Sequence, residues 1–505
     1  MKKHLDLPWF VILLGLIFPL ILYANNLGEV AISALWKPLL FSILVVVFLY
    51  GGLFIAFREH NKSAIMTGIL SLGIFTYGHL YNLLKSVQVY GHLIGRYRYL
   101  LPLYGLIFLG LIICVIKNTG DLKNLIRILN TVGVFLFLIQ LLRVGIFEIK
   151  SQVGSHQIQQ ETHAAQSIGN VEEPRDIYLI VLDAYARSDW LQDHLEIDNS
   201  EFIDELEEMG FYVAECSRSN YSFTNLSMTA MLNLDYVDQL FENVSSEIDS
   251  KNRLKQSMVR QMLSDSGYDL VAFHNNFPWL TINDADIYID SKSVSPIESF
   301  DMLFLKTTIL TVPYDFFRSK AEDYRWSPDN AETTQYAKNI QFILDYLRMP
   351  VIYDNPVFVY AHIISPHYPY IFNEDGSINY DWELDKLESQ RSTYKYLNSQ
   401  MLEIIPEIMA NSDPEPIIIL QSDHAVGEGG YKNLILNAYY LPDGGESTLY
   451  PTITPVNSFR VIMDYYFQTD FGLLEDRSYY SVEPTRYNFE LVEDPYLHCR
   501  ELIED

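Results

Sequence analysis

Five apolar runs occupy the first 150 residues, at 8–24, 38–57, 64–84, 99–116 and 128–147. Each is near the ~20 residues a helix needs to cross the hydrocarbon core of a bilayer. The pattern predicts an all-α transmembrane domain of five helices over residues 1–150. The first run lacks the small-residue cleavage pattern of a secretory signal, and four more runs follow it, so it reads as a span. Residues 151–173 are polar and show no clear period. They read as a linker or an amphipathic connection leaving the membrane.

After Pro174 the pattern changes. The run DIYLIVLD (176–183) is continuously apolar and ends in an acid, as a strand buried on both faces does. NSEFIDELEEMG (199–210) has apolar positions at 202, 203, 206 and 209 and fits a helix capped by Asn199 or Ser200. Further strands are expected at 269–274, 357–363, 416–422 and 434–440, and long helices at 331–347 and about 384–409. This alternation predicts an α/β domain over 174–505, with a mainly parallel central sheet and flanking helices. In such sheets ligands gather beyond the carboxyl ends of the strands. No internal repeat is evident.

Charge sharpens the division. Residues 1–150 hold 13 Lys+Arg and 5 Asp+Glu, whereas the remainder holds 22 and 59, so the balance swings from +8 to −37. An acidic domain of that strength repels nucleic acid, which is set aside as a partner. Lys2, Lys3, Arg58, Lys62, Lys117, Lys123 and Arg127 share one side if the N-terminus is cytoplasmic, against Lys37, Lys85, Arg96 and Arg98 on the other. That bias places the acidic domain outside the cytoplasm of a multi-pass cell-membrane protein. Of three cysteines, Cys114 lies in the fourth run, and Cys216 and Cys499 lie in the outer part, where they either pair or stay as buried thiols.

Three apolar strands end in chemically loaded residues: Asp183, the segment from His362 to His367, and Asp423-His424. Parallel strands would bring these to one edge of the sheet. Two acids and an imidazole need one further ligand to hold a divalent ion, and carboxylate with imidazole suits manganese, magnesium or zinc. SNYSFTNLSMTAMLN (219–233) is a polar loop turning into a helix near Asn225, with Thr224 at the turn. A hydroxyl at a helix start sits in a positive field, and a metal-bound hydroxyl loses its proton more readily. An ordinary helix cap is the bland alternative for Thr224, core packing for His362, and a surface ion pair for Arg187. The glycines of AVGEGG (425–430) let the chain turn away after Asp423-His424 and leave room for a substrate.

Taken together these segments resemble the alkaline phosphatase/sulfatase superfamily, and within it the membrane-anchored phosphotransferases such as lipoteichoic acid synthase. The resemblance runs over residues 174–465. It lies in YLIVLDAYARSD with Asp183, TNLSM with Thr224 first and Ser227 in the serine place, HYPY at His367, and the later Asp423-His424. It implies an alkaline-phosphatase-like domain, one divalent ion held by Asp183, Thr224, Asp423 and His424, and Thr224 as catalytic nucleophile. It also implies substrate contacts from His367 and from His274 in VAFHNNFPW; Arg187, four residues after Asp183, is a separate candidate phosphate contact. Thr224 and Met228 stand where a sulfatase has its modified cysteine or serine and its arginine, which argues against sulfatase activity, and Leu226 replaces the motif's proline. No arginine matches the one that helps hold the headgroup in the synthase.

The expected activity is a phosphotransferase that moves a phospho-headgroup from a membrane lipid donor to an envelope glycan or polymer through a phosphothreonine. With water as acceptor the same site is a phosphodiesterase or phosphatase. A noncatalytic envelope scaffold is the alternative from another class.

Overall fold

The computed structural model describes residues 7–504 apart from 28–29, 31, 86, 90–91, 94–95, 164–172, 241–246, 276, 278–279, 291–298, 314–327, 351–352 and 483–484. The chain forms two compact units: one of residues 1–149 with 294–332, the other of residues 150–293 with 333–505.

All five apolar runs are helical in the first unit: α1 (Trp9–Asn25), α2 (Trp36–Phe57), α3 (His60–Leu84), α4 (Tyr97–Lys117) and α5, which starts at Lys123. Four are long and apolar enough to cross a bilayer; α1, at 17 residues, is shorter. Helix α5 continues to His163, through the start of the expected linker, of which residues 164–172 lie outside the described residues. Residues 294–332, far along the chain, also belong to this unit. Their helix Ser299–Thr307 packs Phe300 against Tyr23 and Phe304 against Phe41 and Phe75, with ring centroids 6.3, 6.3 and 6.0 Å apart. The Ile309 amide donates to the Ile74 carbonyl at 2.7 Å, and Lys37 pairs with Asp301 at 3.5 Å. Gly78 admits this segment, because a Cβ there would overlap the Lys306 carbonyl.

The second unit is built on a seven-stranded sheet. Its strands are β1 (Ile177–Leu182), β2 (Tyr212–Val213), β3 (Asp269–Phe273), β4 (Ile287–Ile289), β5 (Val357–Ile363), β6 (Ile417–Gln421) and β7 (Asn437–Tyr440). The spatial order is β2-β7-β6-β1-β5-β3-β4. The five strands from β6 to β4 are parallel, and β7 and β2 close one edge antiparallel. Strand β1 is buried on both faces because side chains alternate across a strand. Tyr178, Ile180 and Leu182 enter one core with helices Pro328–Leu347 and Lys386–Asn411. Ile177, Leu179 and Val181 enter the other with helices Thr224–Leu232 and Pro455–Phe467.

Candidate functional site

Register decides which acids meet. In the parallel ladder Val181 lies opposite both His362 on β5 and Gln421 on β6. Asp183 and Asp423 each stand two residues beyond Val181 and Gln421, on the same face by the period of two. His362 shares that face. It is the face covered by helix Thr224–Leu232, whose Met231 sulfur accepts from Gln421 Nε2 at 3.1 Å.

The side chains complete a tight cluster. Metal-ligating atoms of Asp183, Asp423 and His424 all lie within 4.8 Å of one another, and all three residues are buried. His424 Nε2 is 3.9 Å from Asp183 Oδ1 and 3.6 Å from Asp423 Oδ2. Each acid is held by one oxygen only. Asp423 Oδ1 accepts from the Ala184 amide at 3.2 Å, and Asp183 Oδ2 lies 3.3 Å from His362 Nε2. Among the described residues, Asp183 Oδ1 and Asp423 Oδ2 are buried with no hydrogen-bond partner.

The imidazoles are oriented by their other nitrogens. His424 Nδ1 lies 3.0 Å from the Ala425 carbonyl, which can only accept. The proton therefore sits on Nδ1, and the Nε2 lone pair faces the two acids. Three electron-rich atoms turned toward one another in a buried space repel unless a cation joins them. The donor set thus fits a divalent ion, with carboxylate oxygen and imidazole nitrogen as ligands.

His362 works from behind. Its Nδ1 lies 3.0 Å from the Tyr360 hydroxyl. Burial and the charges of Asp423 and Asp183 push the Tyr360 phenol well above its usual range, so it stays neutral and can donate to Nδ1. Nε2–H is then free to donate to Asp183 Oδ2. Burial alone would raise the Asp183 pKa, but the His362 hydrogen bond outweighs it and holds the group at about 2. Ala184, immediately after Asp183, has φ +65°, a region costly for a residue with a Cβ. Its carbonyl accepts from the Tyr394 hydroxyl at 3.2 Å, and the Tyr185 amide donates to Ser422 Oγ at 2.9 Å, which fixes the turn.

Thr224 is the first residue of its helix; Phe223 occupies the cap position and supplies no side-chain cap. Ser227 Oγ is buried and has no hydrogen-bond partner among the described residues. His367 is half-buried, with its ring centroid 6.5 Å from that of His424 and its Nδ1 2.7 Å from the Tyr368 carbonyl, which leaves Nε2 for another contact. His274, just past β3, has Nδ1 2.9 Å from the Tyr288 hydroxyl. Arg187 is differently placed from a phosphate contact. Its guanidinium is buried between Asp189 at 2.7 Å and Asp494 at 2.8 Å and also donates to the Ser217 carbonyl at 3.3 Å.

The loop leading to Thr224 is tied to the C-terminal region. Cys216 and Cys499 form a disulfide. A strap follows, in which the Tyr479 amide donates to the Asn220 carbonyl at 2.9 Å and the Ser481 amide donates to Ser222 Oγ at 3.1 Å. The disulfide was one of the two alternatives open for these cysteines, whereas the strap and the Tyr360–His362 pair were not read from the sequence. Tyr360 and His362 alternate on an apolar strand beside Asp183, and two polar residues on one buried face were the available signal.

No protein-family model matches the chain, and no curated protein matches it. Its structural neighbours include phosphoethanolamine transferases. The zinc complex of the C-terminal periplasmic domain of EptC from Escherichia coli is 13% identical, with a TM-score of 0.43, and the match covers 66% of this chain and 98% of that one. The integral membrane lipooligosaccharide phosphoethanolamine transferase A from Neisseria meningitidis is 12% identical, with a TM-score of 0.37, over 90% of this chain and 95% of that one. The EptC domain from Campylobacter jejuni is 14% identical, with a TM-score of 0.35, over 59% of this chain and 91% of that one. Scores this low carry no argument, so the functional reading rests on the chain's own residues.

Proposed function

We propose that the chain is a membrane-anchored, metal-dependent phosphotransferase of the alkaline phosphatase superfamily, moving a phospho-headgroup from a lipid to an envelope glycan or polymer through Thr224. The observation that supports it most is the convergence of two partnerless carboxylate oxygens and an imidazole lone pair on one buried point. Asp183, Asp423 and His424, with the Thr224 hydroxyl as fourth ligand, would hold the ion. When bound, a divalent ion offsets the two carboxylate charges and eases loss of the threonine proton.

The chain's own residues do the rest. Thr224 Oγ forms a bond to phosphorus, the bond from phosphorus to the diacylglycerol-like alcohol breaks, and the threonine proton leaves with that alcohol. His367, through Nε2, faces the nonbridging oxygens and offsets charge gathering on them, with His274 as an outer contact. An acceptor hydroxyl then bonds to phosphorus, the bond from phosphorus to Thr224 Oγ breaks, and the acceptor's proton returns to Oγ. Arg187 has no part in this scheme, since its donors serve Asp189, Asp494 and the Ser217 carbonyl.

Location follows from the same reading. Helix α1 serves as a fifth span, because 17 residues lie at the lower limit for crossing and cover about 26 Å. Five spans with a cytoplasmic N-terminus set the acidic unit outside, and the Cys216–Cys499 disulfide suits an oxidising compartment.

Incubating the purified full chain with membrane lipid extract and reading its peptides by mass should give a phospho-headgroup adduct on Thr224. In Thr224→Ala the adduct disappears and turnover falls by about 10³-fold or more, as expected when a nucleophile is removed. Full turnover in that variant removes the covalent step.

A further inference from the structure

Helix Thr224–Leu232 carries four side chains with a hydroxyl or amide group. Asn225 Nδ2 donates to Ser250 Oγ at 3.3 Å, and Thr229 Oγ1 donates to the Ser250 carbonyl at 3.1 Å. Thr224 is the candidate nucleophile. Ser227 has no such employment: the residue is 1% exposed, and its Oγ lacks a hydrogen-bond partner among the described residues. A serine inside a helix ordinarily gives its proton to the carbonyl four residues back. Here the Phe223 carbonyl takes the amides of Leu226 and Ser227, at 3.1 and 2.9 Å, and the Ser227 hydroxyl does not join them.

The helical period says which way Ser227 faces. Thr224, Ser227 and Met231 are three and four residues apart and form one stripe. Met231 sets the far end of that stripe against Gln421 on β6. Gln421 stands two residues before Asp423, on the same face of the sheet. The stripe therefore covers the end of β6, where Asp183 Oδ1 and Asp423 Oδ2 also lack partners among the described residues. Three orphaned oxygens thus share one side of the sheet with the threonine hydroxyl.

We infer that Ser227 is a further catalytic residue, whose Oγ–H donates to a nonbridging oxygen of the phosphoryl group carried by Thr224. The inference rests on the phosphotransfer reading above and deepens it. Side chains three apart on a helix have Cβ atoms about 5–6 Å from each other. One phosphoryl oxygen bridges that gap with a hydrogen bond of about 2.6–2.8 Å. The donor is fixed in a buried place, so it needs no reorganisation as charge gathers on the oxygen. An unmade hydrogen bond raises the free energy of the empty site, and the reacting phosphoryl group supplies the missing acceptor.

The test uses Ser227→Ala and Ser227→Cys in the full chain, in detergent with the metal it purifies with. Appearance of the Thr224 adduct from membrane lipid extract, followed by mass, slows about 10²-fold in Ser227→Ala. Orthovanadate, titrated calorimetrically as a mimic of the reacting phosphoryl group, binds about 10²-fold more weakly. Ser227→Cys, a weaker donor of similar shape, falls between. Bound metal stays at the wild-type level in both variants. The thermal midpoint of ligand-free Ser227→Ala equals or exceeds that of the wild type, because the substitution removes an unpaired buried polar atom. An adduct rate and a vanadate affinity within about twofold of wild type overturn the inference. Loss of metal or a lowered midpoint in Ser227→Ala also overturns it, by making Ser227 a structural residue. A wild-type chain that forms no adduct removes the phosphotransfer reading itself, whereas a normal wild-type adduct with an unchanged rate in Ser227→Ala strikes the role of Ser227 alone.

Discussion

At the scale of single residues, the site is an exercise in leaving chosen atoms without partners. Asp183 and Asp423 each spend one oxygen on a protein donor and keep the other bare, in a place where an unpaired polar atom is normally costly. His362 makes this possible for Asp183, and Tyr360 sets the ring that does so. Replacing His362 with phenylalanine should lower metal affinity by about 10–100-fold, the usual loss when a group behind a ligand is removed, and glutamine should restore part of it. Competition with a metal-sensitive dye measures this directly. Asp183 holds its charge down to about pH 2, so its contribution to stability is complete above the unfolded value near 3.9 and is lost as pH falls toward 2. The His362 effect should therefore not trace an Asp183 titration between pH 5 and 8. The meeting of Asp183, Asp423 and His424 was legible because each closes an apolar run. Arg187 misled because a cation four residues past an acid looks the same whether it faces substrate or, as here, the carboxylates of half-buried Asp189 and buried Asp494.

At the scale of elements, periodicity carried far where elements are long or buried. The expected strands at 176–183, 269–274, 357–363 and 416–422 correspond to β1, β3, β5 and β6 within a residue or so at each end. The short edge strands Tyr212–Val213 and Ile287–Ile289 have too few residues to show alternation. Helix Ser299–Thr307 escaped for the same reason, though it completes the core of the first unit. The strap over the Thr224 loop depends on contacts across more than two hundred residues, which no local pattern reveals. Its disulfide spans a sequence separation of 283, so Cys216→Ser/Cys499→Ser should cost about 2–4 kcal/mol of unfolding free energy. Denaturant unfolding of the variant checks this, and the Thr224 adduct should form more slowly if the loop loosens.

At the scale of the whole molecule, charge separates the chain into a basic apolar part and an acidic part. That contrast was legible from counts alone. Composition did not reveal that residues 294–332 belong with the first unit, because their helix is nine residues long and carries no strong hydrophobic period. The account as a whole depends on one divalent ion being held where β1 and β6 end. The most direct test is elemental analysis of the purified full chain and of Asp183→Ala, Asp423→Ala and His424→Ala, each checked for folding by circular dichroism. About one equivalent of divalent metal in the wild type, falling to a small fraction in all three folded variants, is the predicted result. A wild-type chain that takes up no metal when dialysed against manganese, magnesium or zinc, or variants that retain the full equivalent, would contradict it.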